Sequence, residues 1–179
     1  MSTAETDPRI ALITRLIRDV PDFPKPGILF KDITPLIGDG AGFRLVTDML
    51  AERVAAVKPD KLVGIESRGF IFGAALAERL GVGLAPVRKP GKLPWKAARE
   101  TYSLEYGTDS LEMHEDAVAG QRVVIIDDLL ATGGTAAATA RLVERQGGTV
   151  AAFAFVVELT FLGGRERLGN HEAISLIRY

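Results

Sequence analysis

The chain contains no cysteine. That excludes disulfides, thiolate zinc sites and a cysteine nucleophile. It has two histidines, His114 and His171, far apart in sequence. They offer no metal-ligand spacing and no catalytic triad, so core or surface roles are expected for both. Ser67 precedes Arg68 and Gly69 and lacks the context of a nucleophile elbow. No uninterrupted apolar run approaches the roughly 20 residues that span a bilayer. The first residues carry acids where a signal peptide has a basic region and an apolar core, so a cytoplasmic protein with no membrane association is expected. An excess of one charge is also missing. The 22 lysines and arginines nearly balance 23 aspartates and glutamates, for a net charge of −1. This gives no support to a general binder of nucleic acid or membrane surfaces. No repeat, low-complexity tract or linker divides the 179 residues. At roughly 150 residues per domain, a single domain over residues 1–179 is expected. The content, 47% hydrophobic, 25% charged and 7% aromatic, disfavours disorder, collagen and coiled coil.

What is present is a rhythm of strands and helices. Asp7-Pro8 is a helix start, a capping residue before proline at the first helical position. Ile10, Ile13, Ile17 and Val20 follow at three- and four-residue spacing and predict one helical face. Pro21, Pro24 and Pro26 then forbid regular helix. A second helix is predicted from about Gly42 to Val57. Leu62–Ile65 reads as a buried strand, Glu66–Gly69 as a loop, Phe70–Leu80 as a helix ended by Gly81, and Val82–Val87 as the next strand. The unit recurs with a strand at Val123–Ile126, a loop at Asp127–Gly134, a helix at Thr135–Gln146 and a strand at Val150–Val157. Strands alternating with helices, and lacking period-two alternation, imply an α/β fold with a central parallel sheet flanked by helices.

Residues 88–116 break this rhythm. The first part holds Arg88, Lys89, Lys92, Lys96 and Arg99 with no acid. The second holds Glu100, Glu105, Asp109, Glu112, Glu115 and Asp116 with no lysine or arginine. Alternation at Tyr102–Tyr106 and Ser110–His114 around Gly107–Asp109 predicts a hairpin. So long an insertion in a compact domain is usually a lid or binding loop, or else disordered.

The most informative stretch is Val123–Thr135. A buried strand delivers Asp127 and Asp128 to its carboxyl end, and the small-residue loop Ala131-Thr132-Gly133-Gly134-Thr135 opens a helix. Free amide groups and the helix dipole make such a place an anion site. Gly133 and Gly134 let the backbone close on the anion, and Thr132 and Thr135 add hydroxyl donors. The lysine of a nucleoside-triphosphate P-loop is missing. The carboxylates would repel phosphate, so they should face hydroxyls or a cation. A ligand with a phosphate at one end and vicinal hydroxyls nearby satisfies both halves.

This stretch resembles the phosphoribosyl-pyrophosphate (PRPP) signature of the type I phosphoribosyltransferases. Phe23–Ile33, Glu66–Phe70, Arg88–Pro94, Tyr102–Gly107 and Val157–Thr160 are similar to segments of the adenine-specific members of that family. Trp95–Arg99 does not follow the family pattern, and Glu66 stands where some relatives have aspartate.

The resemblance implies transfer of a phosphoribosyl group from PRPP to adenine, giving AMP and pyrophosphate. It further implies a small hood from about 21–35 and 159–179 and a flexible lid at about 88–116. Ala131 to Thr135 would cradle the 5′-phosphate, and Asp127 and Asp128 would hold the ribose hydroxyls. Glu66, Ser67 and Arg68 would bind pyrophosphate, with a non-proline cis peptide expected at Glu66-Ser67. Arg88, Lys89 and Lys92 would meet the pyrophosphate on closure. Glu105 would act as acid/base. Phe30 and Leu159 would wall the purine, and backbone near Leu29 and Arg68 would read its edge. Magnesium would arrive through substrate phosphates, and a homodimer is expected. The alternatives are a PRPP-binding regulator without catalysis and a transferase for another purine such as xanthine. A regulator should add a DNA-binding element or a basic face, which this sequence does not display.

Overall fold

The structure is a computed structural model that describes residues 7–103 and 107–179. Its contacts gather into two compact units, residues up to Met49 and residues from Leu50 onward.

The N-terminal unit opens with helix α1 (Pro8–Thr14), where the Asp7 carboxylate accepts from the Arg9 N–H at 2.9 Å. Strands β1 (Arg18–Pro21) and β2 (Leu29–Asp32) form an antiparallel pair, Val20 opposite Phe30. Helix α2 (Thr34–Gly38) follows, and then helix α3 (Gly40–Ala56), in which the unit boundary falls. The helical face predicted through Val20 is thus cut short. The chain turns after Thr14, and Val20 is a strand residue whose partner lies across the proline-rich segment. Spacing alone could not foresee that pairing.

The C-terminal unit carries a five-stranded, wholly parallel sheet. Its strands are β3 (Lys61–Ile65), β4 (Gly83–Val87), β7 (Arg122–Leu130), β8 (Thr149–Glu158) and β9 (Glu172–Arg178), in the order β4-β3-β7-β8-β9. Helix α4 (Arg68–Leu80) joins β3 to β4, and helix α5 (Gly134–Arg145) joins β7 to β8. Gly81 ends α4 in the left-handed region at φ 65°, which glycine enters without steric penalty. Val63, Ile65, Val123, Ile125, Phe153 and Phe155 are buried in the core. A strand buried on both faces reads as an unbroken apolar run, which is why β3, β7 and β8 stood out in the sequence.

The hairpin strands are β5 (Ala97–Ser103) and β6 (Thr108–His114), with Tyr102 opposite Asp109. The first strand therefore starts five residues before the predicted Tyr102 and includes part of the Trp95–Arg99 stretch that departs from the family pattern. A second correction concerns the acidic pair. Strand β7 runs on to Leu130 because β8 pairs with it as far as Leu130–Glu158, so Asp127 and Asp128 are strand residues rather than loop residues. The predictions also missed β1, β2, α2 and β9.

At the end of β8, Glu158 is buried and accepts from Arg165 Nε at 2.9 Å and Arg178 Nε at 3.2 Å. Burial alone would raise its pKa. Hydrogen bonds from Arg165 and Ser175 and the charges of both arginines outweigh that and bring it down to about 2. A depressed carboxyl lends stability above its unfolded value near 4.5, lost as pH falls toward 2. Glu158→Gln is accordingly expected to be less stable than the parent at pH 7 by on the order of 3 kcal/mol. The gap should close between pH 4.5 and 2 in acid-unfolding curves. A gap independent of pH would remove this account.

Candidate active site

The chain leaves β3 toward β4 on one side and β7 toward β8 on the other, so the strand order reverses between β3 and β7. Open α/β sheets bind ligands outside the carboxyl ends of strands at such a switch point. Here those ends are Glu66-Ser67-Arg68 after β3 and Asp127–Thr135 at the end of β7.

The Glu66-Ser67 peptide is cis, as expected. Arg68 begins α4 and donates from Nε to Asp128 Oδ2 at 2.5 Å. Asp128 is buried, whereas the Arg68 side chain stays about half exposed. The Asp128 N–H donates to Asp127 Oδ1 at 2.9 Å. Asp127 lies against the first turn of α4, where a Cβ on Gly69 would stand 3.1 Å from Asp127 Oδ1 and 2.7 Å from the Ile126 carbonyl. Only glycine permits this approach. Burial, and then the neighbouring Asp128 charge, raise the Asp127 pKa well above the usual carboxylate range. The Asp128 N–H and the Arg68 charge offset part of that.

Beyond the pair, Ala131, Thr132 and Gly133 form a bend that opens α5 at Gly134. A cavity of about 90 Å³ is lined by Asp127 and Leu129 to Ala136. That is the room of about three waters. The first amides of a helix have no partner within it and leave donors for an anion. The bend is backed by main chain. Gly133 has φ 78°, and a Cβ there would meet the Gly164 carbonyl at 2.3 Å. A Cβ on Gly164 would meet the Ala131 carbonyl at 2.0 Å and the Gly133 nitrogen at 3.0 Å. Gly164 was not foreseen as a site residue, and the only hint was the doublet Gly163-Gly164. The Leu159 N–H donates to the Leu130 carbonyl at 2.9 Å, which fixes Leu159 beside the bend.

The three basic residues at the start of the insertion converge on one carboxylate. Glu66 accepts from Arg88 Nε at 3.2 Å, from the Lys89 N–H at 3.0 Å and from Lys92 Nζ. Lys89 Nζ is paired with Asp109. Burial would raise the Glu66 pKa, but Lys92, the Lys89 N–H and Arg88 bring it below the ordinary value. Gly91 N–H donates to Glu112 Oε2 at 2.9 Å, and the Arg88 and Glu112 main chains bridge, so the basic segment is tied to β6.

Leu29 and Phe30 lie on β2 in the N-terminal unit. Leu29 is exposed, and Phe30 packs edge-on to Phe23 at 5.1 Å between centroids. Glu105 lies outside the described residues. Among the described residues, no cluster of three or more acidic or histidine side chains could hold a metal ion. No helix there is long and apolar enough to cross a membrane.

Comparison with known proteins agrees with this geometry. A family model for the phosphoribosyl transferase domain matches residues 37–173. The adenine phosphoribosyltransferase of Solibacter usitatus is 60% identical over 165 residues, 92% of this chain and 95% of the relative. The crystal structure of the Thermoanaerobacter pseudethanolicus adenine phosphoribosyltransferase superposes with a TM-score of 0.92 at 56% identity, covering 95% of this chain and 99% of the other. The Saccharomyces cerevisiae adenine phosphoribosyltransferase, solved with an imino-altritol bisphosphate and adenine, gives 0.88 at 43% identity, with 94% and 98% covered.

Proposed function

The chain belongs to the adenine phosphoribosyltransferases, and from that premise we propose how its residues divide the transfer of the phosphoribosyl group of PRPP to adenine. The products are AMP and pyrophosphate. The bond from the anomeric carbon to a pyrophosphate oxygen breaks, a purine ring nitrogen bonds to that carbon, and the nitrogen gives up its proton. Positive charge builds on the sugar as in other glycosyl transfers.

The observation that carries the reading is a cavity at the strand-order reversal lined by Asp127 and the Ala131–Thr135 bend, with Asp128 hydrogen-bonded to Asp127. Ala131, Thr132, Gly133, Gly134 and Thr135 are proposed to hold the 5′-phosphate. Asp127 and Asp128 are proposed to hold the ribose diol, where their charge favours the developing cation. Ser67 and Arg68 would face the pyrophosphate. Glu66 would serve that site by gathering Arg88, Lys89 and Lys92, since its own charge opposes phosphate. Leu159 is proposed as an apolar wall for the purine. Leu29 and Phe30 keep the base-binding role that the resemblance implies. The adjacent oxygens of Asp127 and Asp128 suit a hard divalent cation that keeps waters and is carried mainly by the substrate. Magnesium bound to the pyrophosphate would neutralise charge on the leaving group. A cytoplasmic homodimer is proposed on the resemblance.

Incubation with PRPP, magnesium and one free base at a time tests the assignment. Pyrophosphate release with adenine alone is expected. Release with xanthine alone would reassign the base, and none with any base would favour a regulator. Glu105→Gln is expected to lower turnover by about 100-fold or more with unchanged melting, the scale of a lost acid/base. Full turnover would discard that role.

A further inference from the structure

Tyr102 lies on β5 in the core cluster, 6% exposed. Its hydroxyl reaches out of that apolar setting toward two polar groups at once. It lies 3.1 Å from Thr135 Oγ1 and 3.1 Å from Asp109 Oδ2. Tyr102 and Asp109 are directly opposed across the hairpin, so strand register fixes one contact. Thr135 sits in the first turn of α5, so the anion bend fixes the other. Asp109 in turn accepts from the Ser110 N–H at 2.8 Å and pairs with Lys89. An unbroken line of contacts therefore runs from Lys89, beside Glu66, through Asp109 and Tyr102 to Thr135.

The protons along this line are constrained. An ionised carboxylate only accepts. Lys89, the Ser110 N–H and the Tyr102 hydroxyl keep Asp109 below its ordinary pKa against the effect of burial. Burial and the Asp109 charge also raise the Tyr102 pKa, so the phenol keeps its proton. That single proton goes to Asp109. Thr135 must then donate its own proton to the phenol oxygen. A phosphate in the bend would take that Thr135 proton. The Tyr102 proton can then pass from Asp109, which keeps Lys89 and the Ser110 N–H, to Thr135 Oγ1, so the contact survives with the Thr135 proton aimed at the anion.

We propose that Tyr102 is a positioning residue for the 5′-phosphate: its hydroxyl sets Thr135 Oγ1 and ties the hairpin, with Lys89, to the occupied bend. The proposal rests on the reading that Ala131 to Thr135 bind that phosphate. Tyr102 does not touch the reacting atoms and acts through Thr135.

Tyr102→Phe keeps the buried ring and removes only the hydroxyl. It is expected to weaken AMP binding, and to raise KM for PRPP, by roughly five- to tenfold, the scale of one lost hydrogen bond. Adenosine, which lacks the phosphate, should bind as before, and KM for adenine should change less than about twofold. Thr135→Ala should weaken AMP on its own, and adding Tyr102→Phe to it should change little further, because the second group acts through the first. If Thr135→Ala leaves AMP binding intact, the phosphate reading fails and this proposal with it. If Thr135→Ala weakens AMP but Tyr102→Phe does not, the proposal alone fails. Equal losses for AMP and adenosine in Tyr102→Phe, with a lowered melting temperature, would mean a packing role and would overturn it as well.

Discussion

Gly164→Ala is expected to disable the enzyme more thoroughly than most changes to its charged residues. The added methyl would fall 2.0 Å from the Ala131 carbonyl, and no side chain is there to swing away. Relief must come from moving main chain, either the turn at Gly163-Gly164 or the bend at Ala131–Gly133. Overpacking of an ordinary core costs about 1–3 kcal/mol. Two backbones in contact leave fewer ways to relax, so a fall in melting temperature of roughly 5 °C or more is expected. KM for PRPP should rise at least about tenfold, because a misplaced cradle loses several amide contacts together. Gly40→Ala, where a Cβ meets nothing within 4 Å, is the control and should leave both quantities nearly unchanged. A Gly164→Ala protein with parental melting and KM would show that the two segments do not press on each other.

Asp127→Asn is expected to act in opposite directions on stability and rate. Folding raises the Asp127 pKa through burial and the Asp128 charge. A carboxyl raised in this way lends stability below its unfolded value near 3.8, and that stability is lost as pH climbs through the folded value. Near neutrality the raised Asp127 carboxyl therefore weighs against the fold. Asparagine removes that titrating group, its oxygen can still accept from the Asp128 N–H, and its amide can donate to Asp128. A gain of about 1–2 kcal/mol, or a few degrees in melting temperature, is expected at pH 7.5. The gain should shrink as pH approaches 4. Turnover should fall by about 100-fold on the proposed role of Asp127 at the ribose. Thermal unfolding across pH, paired with pyrophosphate release, reads both. Destabilisation at neutral pH would contradict the account.

How much of this was legible beforehand depends on whether a feature is local. Strands β3, β7 and β8 announce themselves as apolar runs because both of their faces are covered. Helix α4 was visible through its glycine stop at Gly81. The acidic pair and the bend form one continuous motif, so the sequence alone already puts Asp127 to Thr135 forward as one candidate site. Strand β1 is mostly exposed, β2 is partly buried, and a proline-rich segment separates them, so their pairing left no periodic trace. The reach of β7 past Ile126 depends on β8, a strand some twenty residues later. The press of Gly164 on Gly133 and the contact of Tyr102 with Thr135 each join segments about thirty residues apart. Nothing in a linear pattern records such a meeting. The convergence of Arg88, Lys89 and Lys92 on Glu66 was likewise unforeseen. Their charge was noticed, but not the carboxylates that collect it, Glu66 for Arg88 and Lys92 and Asp109 for Lys89.

Pairing between β3 and β7 closes at Gly64–Ile126, while β8 accompanies β7 to Leu130. The last four residues of β7 thus have a ladder neighbour on one flank only. Under the proposed assignment a nucleotide would sit beside that open flank, with its phosphate held by the peptide groups of the Ala131–Thr135 bend. Such a grip is indifferent to most side-chain drift around it, because an amide is the same whatever residue carries it. What it cannot survive is a shift of the chain's path, and so the glycines that set that path carry a constraint out of proportion to their size.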